Sequence, residues 1–137
     1  DHNEQLIVRD LRQAGALSLS LMAELEGRVV GHLCFSPVTI SDGSPHWYGL
    51  GPISVSPVLH GKGLGSRLMD AGLAELKGMG AAGCVVLGDP GFYGRFGFVS
   101  EPGLTLPGVP PEYFMTRSFG AAMPSGEVRY HPAFEQG

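Results

Sequence analysis

Between Val55 and Gly65 the chain reads V-S-P-V-L-H-G-K-G-L-G, with glycines at 61, 63 and 65. Alternate glycines let a backbone turn tightly and point successive N–H groups the same way. A helical apolar pattern starts at Leu64, so these amides stand at the positive end of a helix dipole. Such a place binds anions, and a diphosphate suits it. Two nucleotide-binding patterns fail on detail. A P-loop needs Ser or Thr after Gly-Lys, but Lys62 is followed by Gly63. The dinucleotide fingerprint needs a glycine where Ser66 stands. Gly65 also lies on the apolar stripe of the helix, where close packing is a second use for it.

Groups able to move protons are scattered. His32, His46 and His131 are of the residue type most used as a general base, and Glu24 lies on the polar side of a strand-like run. None has a partner identifiable from the sequence, and a structural or solvated role is the simpler reading of each. Asp89 precedes Pro90 and reads as a helix N-cap. Lys62 is a loop cation that also favours phosphate. No pair of Cys or His has the spacing of a zinc site, so no metal is expected.

The elements that position these residues follow from periodicity. Ile7, Val8 and Leu11 with Gly15 beyond them suggest a helix over 3–13. Leu17 to Leu25 alternates as a half-buried strand, Glu26-Gly27 is a turn, and Val29 to Phe35 is the return strand of a hairpin, ended by Pro37. Trp47 to Val55 is a strand interrupted at Gly49, Gly51 and Pro52, which marks a bulge or a close backbone approach. Leu64 to Met79 is an amphipathic helix with Gly65, Leu68, Met69, Gly72, Leu73, Leu76 and Met79 on one face. Cys84 to Leu87 is an apolar strand of the kind buried on both faces of a parallel pair. A one-turn helix from Asp89-Pro90 is closed by Gly97. A loop over Glu101 to Pro111, a strand over Tyr113 to Phe119 and a short strand near Val128 to Tyr130 complete the order. This is a mixed α/β domain on one sheet.

Bulk properties narrow the class. At 137 residues, 43% hydrophobic and 16% charged, the chain is one folded domain rather than a disordered segment. A formal charge of −4 with no basic cluster argues against nucleic acid as a partner. No apolar run approaches the ~20 residues that span a bilayer, so no membrane is expected. Cys34 and Cys84 both lie in apolar strand-like runs, the habit of reduced thiols in the cytoplasm.

Val55, Pro57, Gly63 and Gly65 match V-x-P-x-x-(Q/R)-x-x-G-x-G/A, the cofactor signature of the GNAT acetyltransferases, with His60 where Gln or Arg is usual. Downstream, the segment from Leu87 to Phe98, L-G-D-P-G-F-Y-G-R-F-G-F, resembles the family's tyrosine-plus-Gly-Phe segment in the wording of its bacterial YhbS-like group. Gly31-His32, Ser36-Pro37-Val38 and the Y-H-P-A-F tail from Tyr130 to Phe134 are similar to that group as well. The resemblance covers nearly the whole chain, 1–137, as a single domain.

It implies a mostly antiparallel, twisted mixed sheet with helices on both faces. A further strand and helix, roughly 25 residues, would precede Asn3. It implies an N-acetyltransferase in which a primary amine attacks acetyl-CoA directly, acting as monomer or homodimer on a small-molecule or peptide acceptor. The strands Trp47 to Val55 and Cys84 to Leu87 would splay to admit the pantetheine. The implied cofactor contacts are Ile53, Ser54, Val55, His60, Gly61, Lys62, Gly63, Leu64, Gly65, Ser66, Phe92 and Tyr93. An amide near Ile53 to Val55 would polarise the thioester carbonyl, and Tyr93 would protonate the leaving thiolate. Phe92 and Phe96 are core or cofactor-wall residues. The alternative is a non-catalytic acyl-CoA-binding regulatory module of the same fold. A purely structural domain, in which the glycines only pack, is a third reading.

Overall fold

The computed structural model describes residues 6–10, 19–56 and 63–130, with backbone alone for 6–10 and for Pro52. The elements in order are β1 (Leu6–Asp10), β2 (Leu19–Leu25), β3 (Arg28–Ile40), β4 (Trp47–Val55), α1 (Leu64–Gly78), β5 (Gly83–Leu87), α2 (Pro90–Tyr93), β6 (Leu104–Thr105), β7 (Phe114–Ser118) and β8 (Gly126–Tyr130). Strands β1-β2-β3-β4-β5-β7 are neighbours in that order, while β8 pairs with β3 and β6 with β8. Among the described residues only β4/β5 and β6/β8 are parallel. The result is the mixed, mostly antiparallel sheet expected from the sequence.

Two expectations are corrected. Residues 6–10 form a strand rather than part of a helix, pairing antiparallel from Leu6↔Leu25 to Asp10↔Leu21. Three apolar residues fix no period, and the β-branched pair Ile7-Val8 suits the edge of β2. The rest of 3–13 lies outside the described residues.

The second correction is that β3 does not stop at Pro37 but runs 13 residues to Ile40. Its pairing with β2 ends at Leu19↔Phe35 and that with β8 begins at Val38↔Tyr130. Pro37 pairs with Tyr48 of β4 on one edge and on the other falls in the gap between β2 and β8, where no strand asks it for an N–H.

The β2–β3 turn uses left-handed Glu26 (φ 53°) and Gly27 (φ 79°), the two-residue turn that matches strand twist. Leu19, Leu21 and Ala23 of β2, with Leu33 and Phe35 of β3, face a core completed by Leu68, Met69, Leu73 and Leu76 of α1. Helix and sheet approach closely at Gly72. A Cβ there would lie 2.6 Å from Leu33 Cδ2 and 2.8 Å from Phe35 Cε2. Among the described residues both helices pack on this side, α2 through Phe92 and Tyr93. The opposite side is covered by Trp47, Val85, Phe114 and Val128 with Leu104 of β6, a two-residue strand inside the segment read as loop.

Candidate active site

Parallel pairing of β4 and β5 stops early. It covers Trp47↔Gly83, Tyr48↔Cys84 and Gly49↔Val85, although β4 continues to Val55 and β5 to Leu87. Meanwhile β4 stays paired to β3 as far as Val55, and β5 to β7 as far as Leu87. The two strands thus fork beyond Gly49 and Val85, each held by its outer neighbour.

A bulge lies on the β4 arm. Between the pairs Leu33↔Ile53 and Phe35↔Leu50, β3 advances two residues and β4 three. The extra residue falls at Gly51-Pro52, with Gly51 at φ 137°. The bulge inverts side-chain parity, so Tyr48, Leu50, Ile53 and Val55 all turn toward the α1 side while Ser54 is exposed. Ser56 N donates to Val30 O at 2.8 Å. Alternation along an antiparallel ladder then directs the Ser54 amide to β3 and those of Ile53 and Val55 toward the fork.

Beyond the mouth of the fork, α1 opens at Gly63 with φ 77°, no side-chain cap and no acidic residue in its first turn. Its first ladder bond, Arg67 N to Gly63 O at 3.1 Å, leaves the amides of Leu64, Gly65 and Ser66 ahead of the ladder. A Cβ on Gly65 would meet Val55 Cγ2 at 3.8 Å and Phe92 Cζ at 3.9 Å, ordinary contacts. Close packing therefore falls to Gly72, and Gly65 borders the mouth between β4 and α2. Leu64 is buried, so its backbone alone faces the turn, and Ser66 is half-buried. His60, Gly61 and Lys62 lie outside the described residues, as does His131.

Past the end of β5, Asp89 caps α2 as expected, its Oδ1 accepting from Gly91 N at 3.2 Å. Left-handed Gly97 (φ 86°) ends the 3-10 turn Gly94–Phe96 that follows, and Arg117 Nη1 donates to Phe96 O at 2.9 Å. The Tyr93 ring lies against Gly88 and makes edge contacts with Phe92 at 5.0 Å and Phe98 at 6.0 Å. It is half-buried, and burial first, the Cys84 thiol second, push its phenol above the ordinary range. Phe92 and Phe96 are likewise half-buried against the α1-side core.

Three sets of contacts were not read from the sequence. Tyr130 of β8 lies over the last rung of the fork: a Cβ on Gly49 would be 2.6 Å from its Cε2. Burial, then Cys84 and Tyr93, push its phenol up. Cys84, on the rung before, is fully buried, and that burial drives its thiol up against the opposing pull of Arg117. His32 does have a partner, Ser20 Oγ at 2.8 Å from its Nε2, on the sheet side away from α1. The hairpin pattern puts the two residues on facing strands, but the register shift after Ala23 hides their proximity. His46 is exposed at φ 67°, and Glu24 is half-buried near the hairpin end. Among the described residues no group of three His, Cys, Asp or Glu could hold a metal, and no helix is long and apolar enough to cross a membrane.

The chain is similar to known proteins over most of its length. The family model for the acetyltransferase (GNAT) family matches residues 2–98. The uncharacterized N-acetyltransferase YhbS of Escherichia coli K12 is 36% identical over 97% of this chain and 84% of its own length. A GNAT family acetyltransferase from Brucella melitensis, solved with acetyl-CoA, superposes with a TM-score of 0.80 at 38% identity, covering 96% of this chain and 99% of that one. YhbS from Escherichia coli, solved with CoA, gives 0.83 at 27% identity, covering 96% and 93%. With its forked β4/β5 pair, bulged β4 arm and glycine-led helix, the chain belongs to the GNAT family of acetyltransferases.

Proposed function

We propose that the protein transfers the acetyl group of acetyl-CoA to a primary amine by direct attack. The observation that carries this reading is the fork beyond Gly49 and Val85, opening beside the uncapped start of α1. The relatives solved with acetyl-CoA and CoA support it. In this reading the amides of residues 63–66 hold the diphosphate, and the open edge of β4 receives the pantetheine as an added strand. Acetyl-CoA supplies an activated thioester.

The Ile53 amide points into the fork and stabilises the oxyanion that forms when nitrogen attacks the carbonyl carbon. The new C–N bond forms, the amine nitrogen gives up a proton to solvent, and collapse breaks the C–S bond. The Tyr93 hydroxyl, protonated at neutral pH like any phenol and raised further by burial, gives its proton to the departing thiolate and regains one from water. The acceptor is a small-molecule or peptide amine, handled by a monomer or homodimer. Two free cysteines, one of them fully buried, support a reducing compartment such as the cytoplasm.

The test is thiol release from acetyl-CoA with and without a panel of amines. Amine-dependent release supports transfer. Stabilisation by CoA with no release from any amine would instead favour the acyl-CoA-binding module, and absence of both would remove both readings.

A further inference from the structure

The guanidinium of Arg95 lies 5.0 Å from the ring centre of Phe92 and 5.6 Å from that of Phe96. The two rings stand 5.3 Å apart at a tilt of 58°, so the cation rests in the angle between them. No carboxylate of the described residues pairs with it, and the side chain is exposed. Stacking restricts a long side chain while leaving the edge N–H donors turned away from the rings.

The position is specific as well. Phe92 Cζ borders Gly65 in the first turn of α1, so one aromatic ring separates the guanidinium from the helix start read above as the diphosphate site. Coenzyme A carries a third phosphate, the 3′-phosphate, one ribose away from its diphosphate. A planar, always-charged fork at that separation matches a phosphate monoester.

We infer that Arg95, held on the Phe92–Phe96 platform, binds the 3′-phosphate of coenzyme A and makes the cleft prefer coenzyme A over its 3′-dephosphorylated form. This rests on the proposed reading of the fork. A free phosphate would recognise the same fork, so the test compares two ligands that share the diphosphate and differ only at the 3′ position.

Dissociation constants for CoA and dephospho-CoA are measured by titration calorimetry on the wild type, Arg95→Gln, Arg95→Lys and the charge-matched control Arg129→Gln on β8. The wild type and Arg129→Gln should bind CoA about tenfold more tightly than dephospho-CoA, the scale of one hydrogen bond to a charged group. Arg95→Gln should bring the two ligands within about twofold by weakening CoA alone, and Arg95→Lys should restore part of the gap. A preference that survives in Arg95→Gln, or equal weakening of both ligands, would overturn the inference while leaving the fork as the binding site. Failure of either ligand to bind the wild type would overturn the reading of the fork itself.

Discussion

Tyr93 is placed by three successive constraints: the Asp89 cap that starts its turn, the bare backbone of Gly88 under its ring, and the edge contacts with Phe92 and Phe98. Its hydroxyl alone is lost in Tyr93→Phe. That change should lower kcat roughly 10²-fold, the lower end of general-acid effects because a thiolate leaves tolerably well unaided. Affinity for acetyl-CoA should stay within a factor of about two, and a fall in affinity matching the fall in rate would point to packing instead. The phenol is raised above its ordinary range, so its proton is present through neutral pH and lost only in alkali. The wild-type kcat should therefore fall only above the usual phenol range, and this limb should vanish in the Phe variant. The place of Tyr93 in an Asp89-capped turn was legible from its motif, as was the start of α1 after Gly63. The Ser20–His32 pair was not. From the turn, Leu25↔Arg28 and Glu24↔Val29 set one register, but the irregularity after Ala23 shifts it by one, to Ala23↔Gly31 and Ser20↔Cys34. Counting from the turn alone puts Ser20 opposite Leu33 and separates it from the polar side of β3.

At the scale of elements, the closed end of the fork depends on how tightly β5 sits beside β4. A Cβ on Gly83 would strike the Trp47 ring and come within 2.6 Å of Arg117 O, a backbone atom that cannot swing aside. Gly83→Ala should thus destabilise by about 1–3 kcal/mol in urea unfolding. An unchanged midpoint would mean the strands are less closely held. A second tie joins the β3–β4 loop to the turn before β8. Asp42 accepts from Ser44 N at 2.9 Å and Ser125 N at 3.0 Å, and the Ser125 bond, chiefly, holds its carboxyl below the ordinary value. A depressed pKa stabilises the fold above the unfolded carboxylate range and ceases to do so as pH falls through the folded value. Asp42→Ala should lower Tm at pH 7, and the difference should shrink in acid; a constant difference would mean the charge is irrelevant. The β4 bulge was legible because Gly51-Pro52 breaks a strand pattern that resumes at once. Strand β1 was not, since five residues carry too little periodicity to separate strand from helix, and the partner edge that decides it lies in β2.

For the whole molecule, the sheet keeps β4 and β5 apart beyond Gly49 and Val85 by pairing each with its outer neighbour. A ligand that binds the folded protein and not the unfolded chain stabilises it by mass action, so CoA at 100 times its Kd should add ~2.7 kcal/mol. Gly63→Val should diminish the shift because the position demands φ 77°, although nothing within 4 Å would touch the new Cβ. The overall class was legible because two motifs lie a fixed distance apart around one helix and one buried strand, whereas the acceptor leaves no comparable mark. The most direct single measurement is a crystal structure of the complex with CoA. The phosphates should lie within hydrogen-bond distance of amides among residues 63–66, and the pantetheine should run between β4 and β5 on the open side of Gly49 and Val85. A coenzyme bound elsewhere, or β4 and β5 paired through to their ends beside it, would contradict the account.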